Sequence, residues 1–177
     1  MFNIFGTRID VCIEDPLKVE ADGLVIPAND HLWMGAGLAG TVKKEGGEEI
    51  EVEAVRQGPA HLGQAVATAG GSLPYRRIYH AVLAEQDLRI HHEQIGPVLA
   101  AVFETASKDG IERLAVAPLE SEELIGAFHD AARALVTALL EQLDGEGAPQ
   151  ELVLLVSTDE AKDAYRQAFL AGLGAGN

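Results

Sequence analysis

The 177-residue sequence predicts an α/β fold, with helices on both faces of a mainly parallel sheet. Three observations carry this. Short apolar or alternating segments take turns with longer stretches of helical periodicity. One apolar run, residues 22–28, is nearly continuous, as expected of a strand covered on both faces. That run ends in Asn29 and a loop carrying Gly35, Gly37 and Gly40, which leads into a helical segment.

The elements follow in order. Residues 2–5 and 8–14 are strand candidates. From Arg8 to Ile13 apolar and polar residues mostly alternate, and Asp15-Pro16 stops the run. Residues 38–57 read as helix, broken at Gly46-Gly47. Residues 64–70 and 77–83 are strands, separated by the turn Gly70-Gly71-Ser72-Leu73-Pro74. Residues 92–108 form a helix with Ile95, Val98, Leu99, Val102 and Phe103 on one face, ended by Asp109-Gly110. Residues 114–119 are a buried strand. Residues 122–143 make a long helix burying Leu124, Phe128, Ala131, Ala132, Leu135 and Leu139. After a turn at 145–149, residues 152–156 are a strand and 159–171 a last helix. Ser157-Thr158-Asp159-Glu160 has capping-box spacing at its start, and the tail 172–177 is expected to fray. No internal repeat or linker interrupts this order, and the length fits one domain over 1–177.

Composition sets bounds on function. Apolar residues are 47% and charged residues 23% of the chain, as in globular proteins, and no apolar run approaches the roughly 20 residues that span a bilayer. The formal net charge is −15, which argues against nucleic-acid and anionic-membrane partners, since both need a basic face. The single cysteine, Cys12, excludes an internal disulfide and sits in a strand pattern, so a buried, inert thiol is expected. With no basic start followed by an apolar block, the expected compartment is the cytoplasm. The oligomeric state is left open.

Strand, polar tip, glycine loop and helix bring bare backbone amides close to a ligand, and the helix N-terminus adds partial positive charge. The spacing is not the dinucleotide fingerprint, because no acid ends a second strand at the required distance. A tight turn with close helix–strand packing would use the same glycines. Among other groups, His91-His92-Glu93 lacks a third spaced ligand, so no metal is assigned. His80 reads as a hydrogen-bonded core histidine, His31 as a loop contact and His129 as partly exposed. Glu120, Glu122 and Glu123 read either as paired acids for hydrolysis or as acids at a helix start. Trp33 and Met34 in a loop either cover a pocket, meet a partner or fold back as an anchor.

The run from Ala21 to Asn29 followed by Gly35-Ala36-Gly37-Leu38 resembles the macro domain, whose pattern is Asp-Ala-Ile-Val-Asn-Ala-Ala-Asn and then Gly-Gly-Gly-Val. The resemblance continues through residues 62–74 and Ile78-Tyr79-His80-Ala81-Val82. It implies a three-layer α/β/α sandwich with a mixed, mainly parallel central sheet. It also implies binding of ADP-ribose or a derivative, free or on an ADP-ribosylated protein, without a cofactor. Asp15 matches the acid that takes the adenine amine. Asn29 matches the residue that contacts the distal ribose and, in hydrolytic members, orients water. Gly35, Ala36, Gly37 and Leu38 match the first phosphate loop, with Ala36 tolerable only at negative φ. Ser121 and Gly126 match the second phosphate loop.

The chain also departs from the pattern. Ile26 stands for the family's first Asn, and Ala39 for the catalytic Asp of the ester-hydrolysing branch. Glu122 and Glu123 add charge to the second loop. Ser157 replaces the adenine-stacking aromatic, a role Trp33 could take over. The resemblance therefore leaves three readings: an ADP-ribose binder with weak hydrolysis through Asn29, a degenerate interaction module without nucleotide, and a hydrolase of another substrate using the loop carboxylates.

Overall fold

A computed structural model describes residues 1–119, 128–145 and 147–174 of the chain. Strands β1 (Phe2–Ile4) and β2 (Thr7–Cys12) form an antiparallel hairpin, and Thr7, Ile9 and Val11 point inward from β2 while Arg8 and Asp10 point out. The alternation read from the sequence is thus the alternation of the pleat. The almost wholly apolar run becomes β3 (Gly23–Asn29), an interior strand of the parallel block. It pairs in parallel with β5 (Arg77–Ala84) on one side and β6 (Arg113–Val116) on the other. With β4 (Ala65–Ala69) and β7 (Glu151–Leu155), the sheet order is β1-β2-β7-β6-β3-β5-β4. Five interior strands run parallel, and the two edges are antiparallel, so the sheet is mixed and mainly parallel.

Helices cover both faces. α1 (Gly37–Gly46) and α2 (Glu48–Gln57) place Val42, Ile50 and Ala54 on one face, where Val42 and Ile50 share a cluster with Leu24, Ile26 and Ile78. The break between them falls at Gly47, as the Gly46-Gly47 pair predicted. α3 (Ile95–Lys108), α4 (Phe128–Leu143) and α5 (Asp159–Gly174) cover the other face. Their Leu99, Phe103, Leu135, Leu139 and Phe169 pack with Val25, Tyr79, Leu114 and Leu152 in the larger cluster. The predicted apolar stripe of α3 is buried throughout. In α4, Ala131, Ala132, Leu135 and Leu139 are buried as expected, while Leu124 lies outside the described residues. The three-layer α/β/α sandwich is therefore the observed architecture.

Several boundaries shift. The strand expected over 114–119 is only β6, four residues long; Ala117 N still donates to Val25 O at 3.0 Å, and Pro118, with no N–H, cannot continue the ladder. The strand expected over 8–14 ends at Cys12, three residues before Asp15 turns the chain back onto Lys18 N and Val19 N. The first residues of the 92–108 helix are a 3₁₀ turn, His92–Gln94. The capping residue of α5 is Thr158, not Ser157: its Oγ1 accepts from Ala161 N at 3.1 Å, and its carbonyl accepts from Lys162 N. The helix then holds to Gly174, beyond the expected fraying point at 172, and residues 175–177 lie outside the described residues. No helix among the described residues is long and apolar enough to cross a membrane.

Candidate functional site

In an open, mainly parallel sheet the ligand crevice lies beyond the carboxyl ends of the strands. Here that edge is formed by Asn29, Val116, Leu155 and Cys12. The loop after β3 is stapled by Asn29 itself. Its Oδ1 accepts from His31 N at 3.1 Å and Trp33 N at 3.2 Å, and its Nδ2 donates to Trp33 O at 2.9 Å. The next residue, Met34, is buried as an anchor, and its N–H donates to Glu51 Oε1 at 2.6 Å. Glu51 also accepts from Lys43 Nζ at 3.0 Å, so one carboxylate of α2 ties the loop to α1. Burial alone would raise the Glu51 carboxyl; the Met34 amide and the Lys43 ammonium outweigh it and hold the group below its ordinary value.

Beyond Met34 the backbone opens. Ala36 has φ −149° and ψ 172°, the negative φ required if alanine is to stand for glycine. Gly37 has φ +58°, and a Cβ there would meet no atom within 4 Å, so the glycine serves conformation while its outer side stays open. No side chain caps the start of α1, and Gly40 N is the donor to Ala36 O. No acid stands in the first turn of α1, so its first-turn amides present the positive end of the helix dipole without a carboxylate of their own helix against them.

Two hollows meet at this point and share Pro27, Gly37 and Leu38. One, of about 610 Å³, holds Asp15, Ser157 and Pro118 on its walls. The other, of about 480 Å³, holds Asn29, Trp33, Ala39 and Leu88. The start of α1 thus stands between two lobes of one cleft. In the first lobe, Asp15 Oδ1 accepts from Leu17 N at 3.0 Å and its other oxygen lies 3.3 Å from Lys18 Nζ. The Leu17 amide, followed by Lys18, keeps Asp15 below the usual carboxylate range, so it is an anion at neutral pH. Asp15 both initiates a turn and lines the lobe. Ser157 is exposed on the same wall, and no aromatic side chain lines that lobe among the described residues. Trp33 belongs to the other lobe, so the stacking platform it was to supply beside Asp15 is not there.

No carboxylate lines the Asn29 lobe among the described residues; Ala39 occupies its wall where an acid was missing from the sequence. At its base lies His80, buried on β5, with Nε2 3.0 Å from Thr68 Oγ1. Burial pushes the His80 pKa down to about 4, so the ring is neutral at physiological pH. His31 lies against Asp30, at 2.9 Å, and against the Trp33 ring, rather than on the wall of the lobe. Ser121, Gly126 and the acids Glu120, Glu122 and Glu123 lie outside the described residues. Away from the cleft, His91 Nδ1 meets Glu93 Oε1 at 3.1 Å, and His129 is exposed. Burial, then Glu14 and Asp10, push the Cys12 thiol up to about 11, which leaves it a poor nucleophile.

Sequence reasoning did not reach Glu51 as the clamp of the glycine loop, nor residues 86–90 as the outer wall of the Asn29 lobe. The latter had a signal: Leu88 is a lone apolar residue in the polar stretch from Glu85 to Arg89. Replacing Glu51 with glutamine is expected to cost about 1 kcal/mol in urea unfolding at pH 7, because one amide oxygen cannot serve Met34 and Lys43 equally. The folded-state pKa of Glu51 is depressed, so its contribution is present above the unfolded value of 4.5 and fades as pH falls through the folded one. The gap between wild type and variant should therefore close in acid; a gap that is absent at pH 7 counts against the clamp.

A family model for the macro domain matches residues 25–135. The chain is 33% identical over 171 residues to an uncharacterized protein of Aeropyrum pernix, covering 96% of this chain and 89% of that one. An uncharacterized protein of Mycobacterium tuberculosis is 31% identical over 172 residues, but the chain spans only 47% of its length. Among solved structures, the Oceanobacillus iheyensis macrodomain with ADP superposes with TM-score 0.80 at 16% identity, covering 98% of this chain and 96% of that one. The Trypanosoma brucei macrodomain in complex with ADP-ribose gives TM-score 0.76 at 17% identity, with 90% and 68% covered. The family model spans the glycine loop and most of the sheet, and the Aeropyrum relative extends the likeness to nearly every residue; this chain belongs to the macro domain family.

Proposed function

We propose that the two-lobed cleft binds ADP-ribose or a derivative of it, free or attached to a protein. One observation carries the reading: the uncapped start of α1 lies between two lobes, one with an ionised Asp15 and the other with Asn29. A diphosphate is the anion that suits bare amides and a helix N-terminus, even in a chain of net charge −15, because the contacts are local. The adenine amine would donate to Asp15, and the distal ribose would sit at Asn29. The family and the nucleotide complexes of the O. iheyensis and T. brucei macrodomains support this assignment. Ala39 offers no proton acceptor, and the Asn29 amide is already engaged by Trp33 at both ends, so the reading is binding with at most weak hydrolysis.

The competing reading is an interaction module that kept the fold and lost the ligand; the bare Ser157 wall favours it. Calorimetric titration with ADP-ribose separates the two. Heat of binding that weakens about tenfold in Asp15→Ala supports the nucleotide. Absence of both heat and thermal shift with the wild-type protein establishes the module instead.

A further inference from the structure

The Asn29 lobe takes in the glycine loop from Gly35 to Ala39 and extends past Asn29 along a largely apolar wall. Its volume of about 480 Å³ is that of a complete small-molecule site, roughly 300–1,000 Å³. Past Asn29 most of its wall is carbon, from Leu32, Trp33, Ala84, Leu88 and Ile90, with Gln86 and His80 as the polar side chains among them. Ribose hydroxyls turned toward such walls would lose hydrogen bonds to water without replacement. Two of the wall residues are also unusually open: Trp33 is 54% and Leu88 is 60% exposed, and Leu88 is held at φ +60°. The Trp33 ring has His31 beside it, with centroids 4.6 Å apart at 42°. Its main chain is fixed at both N–H and C=O by the Asn29 amide. An indole pinned at the rim of a cavity and left half in solvent is a preorganised surface for a flat ring.

We propose that this lobe receives a heteroaromatic ring carried on the distal ribose, so that the preferred ligand class is ADP-ribose substituted there with a flat ring. This rests on the ADP-ribose reading above. Charge narrows the class further. No carboxylate, lysine or arginine lines the lobe among the described residues, and the chain carries −15 overall, so a neutral or cationic ring is accepted and an additional anion is not.

The probe is NAD⁺, which is ADP-ribose bearing a nicotinamide ring on its distal ribose. Calorimetric titrations of wild type, Trp33→Phe and Trp33→Ala with NAD⁺ and with ADP-ribose give three affinity ratios. Wild type should prefer NAD⁺ by about fivefold or more, Trp33→Phe should retain most of that preference, and Trp33→Ala should abolish it. ADP-ribose binding equal to or tighter than NAD⁺ binding overturns the ring subsite and leaves the ADP-ribose reading intact. So does a preference that survives in Trp33→Ala. Failure of both ligands to bind removes the ADP-ribose reading, and the subsite with it.

Discussion

An Asn29→Ala protein is expected to lose about 2 kcal/mol of stability and to bind ADP-ribose about tenfold or more weakly. Three hydrogen bonds from one amide close the turn at residues 29–33: two into Oδ1 and one from Nδ2. Alanine removes all three and leaves the Trp33 N–H and C=O to water. The loop that follows leads directly to Met34 and the open backbone of Gly35 to Gly37, so loosening at Trp33 is passed on to the amides at the start of α1. Placement errors of this kind weaken binding even where no ligand contact is deleted. Asn29→Asp separates the two roles. The aspartate keeps an acceptor for His31 N and Trp33 N, but it sets a carboxylate oxygen against the Trp33 carbonyl and adds negative charge beside a diphosphate. Urea unfolding and calorimetry on both variants decide the matter. Unchanged stability in Asn29→Ala would show that the staple is dispensable.

Acid should weaken the fold through His80 by about 3 kcal/mol between pH 6.5 and pH 4. Burial lowers its pKa from 6.5 in the open chain to about 4 in the folded one. Below pH 6.5 the unfolded chain takes up a proton that the folded chain refuses until about pH 4. The unfolded state therefore binds more protons across that window, so stability falls as pH falls and levels off once both states are protonated. His80→Gln keeps a hydrogen-bonding partner for Thr68 Oγ1 and cannot titrate. Its stability should run flatter from pH 7 to pH 4 than that of the wild-type protein. Parallel slopes would show that His80 is not the group responsible. The same neutral ring at the base of the Asn29 lobe means that phosphate binding gains no histidine charge at neutral pH.

Much of this was legible in residue order. The alternation from Arg8 to Cys12, the continuous run of β3 and the stripe of α3 each depend on local periodicity, and each survives into the structure. Gly46-Gly47 marked the break between α1 and α2 because glycine disfavours helix wherever nothing compensates. Strand order was not legible, since pairing of β2 with β7 or β3 with β6 is decided by distant contacts rather than by either segment alone. The one-residue error at Thr158 has a similar origin. Ser157 and Thr158 are both good caps, and the bonds that Thr158 accepts from Ala161 N and Lys162 N select between them. In the site, Asn29 and Asp15 were singled out through the resemblance to the macro-domain pattern, and both line the cleft. Glu51 was not, because a clamp reaching 17 residues along the chain leaves no spacing signature.

The place of β2 beside β7 sets a timetable for synthesis. Arg8 pairs with Glu151 and Cys12 with Leu155, so the first hairpin made is among the last pieces to find its neighbour. Until β7 has left the ribosome, Ile9 and Val11 have no sheet to join, and the open side of that hairpin is a strand edge awaiting a partner. Nascent chains halted before residue 151 should consequently be the species that chaperones hold, even though β3, β5 and β6 are already able to assemble.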